Sequence, residues 1–149
     1  MTSSYDRLVS LGRELQLVSD TASLLDWDQE VLLPSRGVAY RAEQMSWFRG
    51  YLHERFTSKE VGMYLEEAQG EERIDAVACA NLREWRHQYD RATCLPKKLV
   101  QDFAETQVHA KSAWAESRRK SDFSLFAPYL EKMVLLSREH AERWGYADQ

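Results

Sequence analysis

The stretch Ser4–Val31, SYDRLVSLGRELQLVSDTASLLDWDQEV, decides the fold. Its apolar residues Leu8, Leu11, Leu15, Val18, Ala22 and Leu25 recur at steps of three and four. That spacing lines one face of a helix with 3.6 residues per turn, and no alternating pattern competes with it. The sequence therefore predicts one long amphipathic helix over 4–31, punctuated by Pro34 and Gly37.

The same periodicity runs on through the chain. A second helix is predicted from Val38 to Phe56, with Ala42, Met45, Trp47, Phe48 and Leu52 turned mostly inward. Thr57-Ser58-Lys59-Glu60 has the spacing of a capping box, with Thr57 as the cap of a short third helix ending near Gly70. A fourth helix should run from Glu71 to Thr93 and bury Ile74, Val77, Ala78, Leu82, Trp85 and Tyr89. Pro96 suits the first turn of a fifth, which buries Leu99, Phe103 and Trp114. After the break at Asp122–Pro128, the residues Leu130, Met133, Val134, Ser137, Ala141 and Trp144 mark a sixth, closed by Gly145. All five tryptophans are expected in the core, because each lies on or beside an apolar stripe.

With only 6 glycines and 3 prolines in 149 residues and no repeat or linker, the expected architecture is all-α. It should form a single domain over 1–149, a helical bundle or helical-hairpin array of about six helices. The 24 acids and 20 bases are too balanced to argue for nucleic acid or an anionic membrane as partner. No segment has the length and apolarity of a membrane span, and the N-terminus does not read as a secretory signal. Cys79 and Cys94 are not in a Cys-x-x-Cys arrangement and read as reduced thiols in a cytoplasmic protein.

Asp26-Trp27-Asp28-Gln29-Glu30 places three carboxylates around a tryptophan at the end of the first stripe. Such a cluster could line an acidic pocket for a cation or a peptide amine. Helical residues two apart point in different directions, however, so these three acids do not converge as a hard-metal cage requires. The plainer expectation is that Trp27 packs inward while one acid pairs with a cation on the next helix, with Arg41 as the chosen partner.

Leu25-Asp26-Trp27-Asp28-Gln29-Glu30, Pro34, Arg41-Ala42-Glu43-Gln44 and His53-Glu54, in this order and spacing, resemble the start of the carboxypeptidase Taq family of zinc metallocarboxypeptidases. Arg91-Ala92-Thr93 before Pro96, Ala113-Trp114, Asp122-Phe123 with Phe126 and Pro128, and Ala141 before Gly145-Tyr146 extend the resemblance over nearly the whole chain. It corresponds to roughly the first third of a full family member. Asp26, Trp27, Asp28, Gln29, Glu30, Arg41, Glu43 and Gln44 are thus candidate signature or structural residues.

The resemblance implies a helical protein whose complete form is a dimer that removes residues from peptide C-termini. Its zinc is held by a His-Glu-x-x-His helix and a further acid, and the motif's glutamate activates water. Two histidines one turn apart are needed to face one ion. The nearest approach in this chain is His53-Glu54-Arg55-Phe56-Thr57, where threonine stands in the second histidine's place. No catalytic or metal-binding residue is therefore assigned, and zinc is expected only in a complete family member. Glu84 and His87 have the Glu-x-x-His spacing of di-iron bundles, but one copy does not make that site. Glu105 and His109 read as a solvated helix face.

The expected function is that of the N-terminal helical part of such an enzyme, building a wall of its groove and aiding assembly without catalysis of its own. The alternative is a stand-alone helical interaction or oligomerisation module. The expected partners are a separate catalytic subunit or a second copy of the chain.

Overall fold

In a computed structural model describing residues 3–71 and 75–145, six α-helices and two short 3-10 turns account for nearly all of the chain. The helices are α1 (Ser4–Val31), α2 (Val38–Phe56), α3 (Lys59–Gln69), α4 (Ala76–Thr93), α5 (Lys97–Lys120) and α6 (Ala127–Trp144). The 3-10 turns are Ser35–Gly37 and Phe123–Leu125. No strand occurs among the described residues, so the fold is all-α.

At 1.5 Å per residue α1 is about 40 Å long, and its apolar stripe serves two separate cores. Near its N-terminus Leu8 packs with Val61, Leu65 and Ala68 of α3 and Leu82 of α4, flanked by Tyr5, Leu11, Tyr64, Trp85 and Tyr89. Near its C-terminus Ala22 packs with Ala42 and Met45 of α2 and Val108 of α5, flanked by Leu25, Val38 and Phe48. Small residues at this second crossing, Ala22 and Ala42, let the backbones approach closely. Gly50 makes room for a side chain of α5, since a Cβ there would stand 2.6 Å from the Gln101 side-chain amide nitrogen. Such helix pairs are held by burial of apolar area rather than by intrinsic helix propensity.

Capping explains most of the helix boundaries. Ser3 caps α1 by accepting from the Asp6 amide at 3.1 Å. The Glu71 carboxylate accepts from the Ser4 amide at 2.8 Å, which places a negative charge on the positive end of the helix dipole. This differs from the sequence reading, which made Glu71 the start of the fourth helix. Asp75 caps α4 instead, accepting from the Ala78 amide at 2.7 Å. The expected core residue Ile74 lies outside the described residues. At the start of α3 the cap is Ser58 and not Thr57. Ser58 has the extended backbone that a cap requires, whereas Thr57 closes α2 and donates its hydroxyl to the His53 carbonyl at 2.8 Å. Gly145 ends α6 with φ of 73°, the left-handed region that glycine adopts freely.

The tryptophans correct the sequence reading most sharply. Trp85 is half-buried and stacks on Tyr5. Trp27, Trp47 and Trp114 are exposed, at 59%, 58% and 53%. For the first two the reason is angular. Trp27 lies five residues beyond Ala22, and Trp47 five beyond Ala42, so each stands more than a third of a turn away from its helix's buried line. Val77, one residue before the buried Ala78, is likewise on the solvent side of α4.

The end of α6 is fastened by aromatic contacts rather than by a core. Phe103 of α5 stacks on His140 at 5.1 Å, and His140 lies 5.6 Å from Trp144. The Trp144 indole donates to the Arg91 carbonyl at 3.1 Å while the Arg91 guanidinium sits 4.1 Å above the ring. Burial pushes the His140 imidazole below its ordinary value, only partly opposed by Glu139. The unfolded chain therefore takes up this proton more readily than the folded one, and the contribution of His140 to stability is lost as pH falls below about 6.5. His53, pushed down chiefly by burial, acts in the same direction. The urea midpoint should accordingly drop between pH 7.5 and 5.5, and His140→Phe, which keeps the stacking, should drop less. Equal pH dependence in the two proteins would show that His140 is not responsible.

Candidate functional site

The candidate residues gather at the joint between the last two turns of α1 and the start of α2, with α5 crossing behind. The centre of the joint is Arg41, only 7% exposed. A buried guanidinium must be neutralised and its donors satisfied. Arg41 Nη2 meets Asp28 Oδ2 at 2.6 Å, Nε donates to Gln44 Oε1 at 3.0 Å, and Nη1 donates to the Leu25 carbonyl. That carbonyl belongs to the last turns of α1, so the arginine also sits toward the negative end of the helix dipole. The ion pair is the one the sequence reading placed between Arg41 and the acid cluster.

The three carboxylates divide as helical geometry requires. Asp28 points to α2, while Asp26 and Glu30, one turn apart, point toward α5. Lys111 of α5 lies 2.8 Å from Glu30 and 3.8 Å from Asp26. Arg49 reaches Asp26 from α2 at 3.9 Å. Each acid therefore has a cation within the fold, and the cluster works as a three-helix clasp. Trp27, expected inward, stands outside it. Glu43 is exposed beside Tyr40 and Trp47. The Gln29 amide oxygen is buried without a hydrogen-bond partner.

A cleft of about 640 Å³ opens between the end of α1, the 3-10 turn that follows, and α5. Leu33, Val38 and Val108 make its apolar side, and Glu30, Lys111, Glu116 and Arg119 its charged rim. The rim charges are largely spent on one another. Hydrogen bonds from Arg119 and Lys120 hold the Glu116 carboxyl down at about 2. Sequence reasoning missed this cleft because Lys111, Glu116 and Arg119 are distant from the acid cluster in the chain and carry no motif of their own.

The residues do not fit a catalytic metal. Among the described residues no three of His, Cys, Asp and Glu come together in a metal-holding group. His53 sits at the end of α2, with Glu54 ion-paired to Lys97 at 2.7 Å and Thr57 bonded to the helix backbone. His87 is exposed, and Glu84 accepts from Gln88 at 2.9 Å. His109 stacks on Tyr129 of α6 at 6.2 Å. Both cysteines are free and exposed.

Comparison with known proteins gives this arrangement a context. Residues 7–149 match the carboxypeptidase Taq (M32) metallopeptidase family. Thermostable carboxypeptidase 1 of Thermus thermophilus is 34% identical over 93% of this chain, and its counterpart in Pyrococcus furiosus is 28% identical over 96%. The match takes in 28% and 29% of those two proteins' own lengths. The solved structure of the Pyrococcus furiosus carboxypeptidase superposes with a TM-score of 0.74 at 26% identity, covering all of this chain and 30% of that one. Metallocarboxypeptidase 1 of Trypanosoma cruzi gives 0.69 at 26% identity, covering 94% and 28%. The BsuCP crystal structure shares the fold with a TM-score of 0.93 at 22% identity, over 98% of this chain and 30% of that one. The chain thus spans less than a third of the length of these relatives.

Removing the buried cation should be far more damaging than removing an exposed anion. Arg41→Ala leaves Asp28 and the Leu25 carbonyl unpaired and should cost about 2–4 kcal/mol, scaled down from a fully buried pair because Asp28 is a third exposed. Asp26→Asn breaks only long, exposed pairs and should cost less than about 1 kcal/mol. Urea denaturation of the two variants checks the order, and a reversed order would remove Arg41 from the centre of the joint.

Proposed function

The chain belongs to the carboxypeptidase Taq (M32) metallopeptidase family, and on that premise we propose that it is the helical N-terminal part of such an enzyme, forming a wall of the substrate groove and taking part in assembly. The observation that carries this reading is the match of residues 7–149 to under a third of the relatives' length. In this reading, zinc and the catalytic acid or base belong to the remainder of a complete family member, which carries His-Glu-x-x-His, and residues 1–149 alone do not hydrolyse peptides. Its contribution is positional. A long α1 tied into two cores is stiff, and a stiff wall orients an extended peptide without supplying reacting groups. We further place the protein in the cytoplasm, a reading supported by two exposed free thiols. Among the described residues no helix is long and apolar enough to cross a membrane.

A second reading, a module that binds itself or another protein without any catalytic part, is favoured by the exposed apolar residues of α1 and α2. One experiment separates the two. Pull-down of the tagged chain from its native cells should recover a protein containing His-Glu-x-x-His, and the pair should release C-terminal residues from a peptide in a chelator-sensitive way. Chelator-sensitive release by the purified chain alone would falsify the division of labour. Recovery of the chain by itself would favour the module.

A further inference from the structure

The two N-terminal helices carry an apolar surface that the fold leaves uncovered. On α1, Leu17, Leu24 and Val31 recur every seven residues and are 70%, 68% and 58% exposed. At 100° per residue they lie 140–180° around the helix from the buried Ala22, so they form a second stripe on the far side from the core. On α2, Tyr40 and Trp47 are also seven residues apart, 66% and 58% exposed, and turned 140–160° away from the buried Met45. The two stripes are bridged at one end through Tyr51 and Glu14. The Trp47 ring stacks on Tyr51 at 5.4 Å, and the Tyr51 hydroxyl donates to Glu14 of α1 at 3.3 Å, one turn before Leu17. Exposed carboxylates stand within both stripes, Asp20 between Leu17 and Leu24 and Glu43 between Tyr40 and Trp47, while Asp28 beside them is engaged by Arg41.

A seven-residue apolar repeat is the spacing that accepts a helix laid lengthwise along it. The five side chains present apolar area on the order of 500 Å², above the scatter of single exposed apolar residues on a soluble surface. That is short of the roughly 800 Å² per partner of a stable interface between two free proteins. The same area suffices where the two sides are held together by further contacts of one assembly, since the second contact then forms at high effective concentration. Relatives matched over only 28–29% of their length supply such an occupant.

We propose that the outer face of the α1–α2 hairpin, formed by Leu17, Leu24, Val31, Tyr40 and Trp47, is the docking seam for an amphipathic helix of the remaining carboxypeptidase Taq polypeptide. The inference rests on the proposed function and adds to it the face through which the two parts meet. It makes the surface that looks most like a liability in the isolated chain into the joint of the assembled enzyme, and leaves the cleft beside α5 free.

The test is split assembly with the Thermus thermophilus relative, whose own matched N-terminal stretch, co-expressed with the remainder of that protein, establishes that the split pair assembles. This chain then replaces that stretch, as wild type, as Leu24→Asp, as Trp47→Ser and as Leu135→Asp. Leu135 is an exposed apolar residue of α6 outside the seam. All four retain helical circular dichroism if the sites are as exposed as described. Wild type and L135D should co-purify with the remainder, while L24D and W47S should bind it at least tenfold more weakly. If wild type and L24D bind equally, the seam is elsewhere and the proposal fails while the proposed function stands. If wild type does not bind at all, the proposed function fails with it. Concentration-dependent dimerisation of the chain alone, abolished by L24D, would assign the face to a second copy and overturn the proposal.

Discussion

A buried guanidinium has no neutral form to retreat to, so Arg41 dictates what surrounds it. It requires an anion, which Asp28 supplies, and acceptors for its remaining hydrogens, which Gln44 and the Leu25 carbonyl supply. Those demands fix the end of α1 against the start of α2 in register and rotation. With that joint set, Ala22 comes to rest on Ala42 and Met45, and Gly50 of α2 receives the Gln101 side chain of α5. The Lys111 contacts to Asp26 and Glu30 add a third helix to the same joint. Exposed pairs of this kind contribute little each, so the clasp takes its strength from the buried centre and its direction from the rim.

The joint also explains why α1 can be so long. A helix of 28 residues serving one small core would leave half its length unsupported. Here the N-terminal half is held by α3 and α4, the C-terminal half by α2 and α5, and the Glu71 carboxylate pins the first turn. Two modest cores joined by one continuous helix resist bending more than either would alone, because bending α1 means opening a packed cluster. Stiffness of this sort is what a groove wall requires.

Much of this was legible in the sequence, and the illegible remainder has physical causes. The bounds of α1 and α2 follow from a clear apolar period and from Pro34 and Gly37. The Asp28–Arg41 pair follows from helix geometry, which forbids three alternate acids from converging. The cap at Ser58 was misplaced by one residue because Thr57 and Ser58 are both competent caps, and only the backbone angle chooses between them. The tryptophans misled because periodicity shows that a residue lies near an apolar stripe, but not on which side of it. A chain matched to under a third of its relatives can carry a second stripe for contacts that its own fold does not make. The cleft beside α5 was invisible for a different reason: its walls are brought together by tertiary packing of segments some 80 residues apart.

Within this chain the residues that carry the family resemblance are engaged with one another. Asp26, Asp28, Glu30 and Arg41 find their partners inside the fold, and none of them is left as a free acid or base facing the cleft with its charge unspent. Exchanging Asp28 or Arg41 changes how α1 and α2 meet, whereas Glu30 also stands on the rim of the cleft. A short acidic motif around a tryptophan invites a reading as a site because its residue types are those of catalysis. Residue type is only half of that case: a catalytic carboxylate needs a shifted proton affinity and open access to a reacting atom. Here every carboxylate of the motif is matched to a cation, so within this chain the motif ties α1 to α2 and α5.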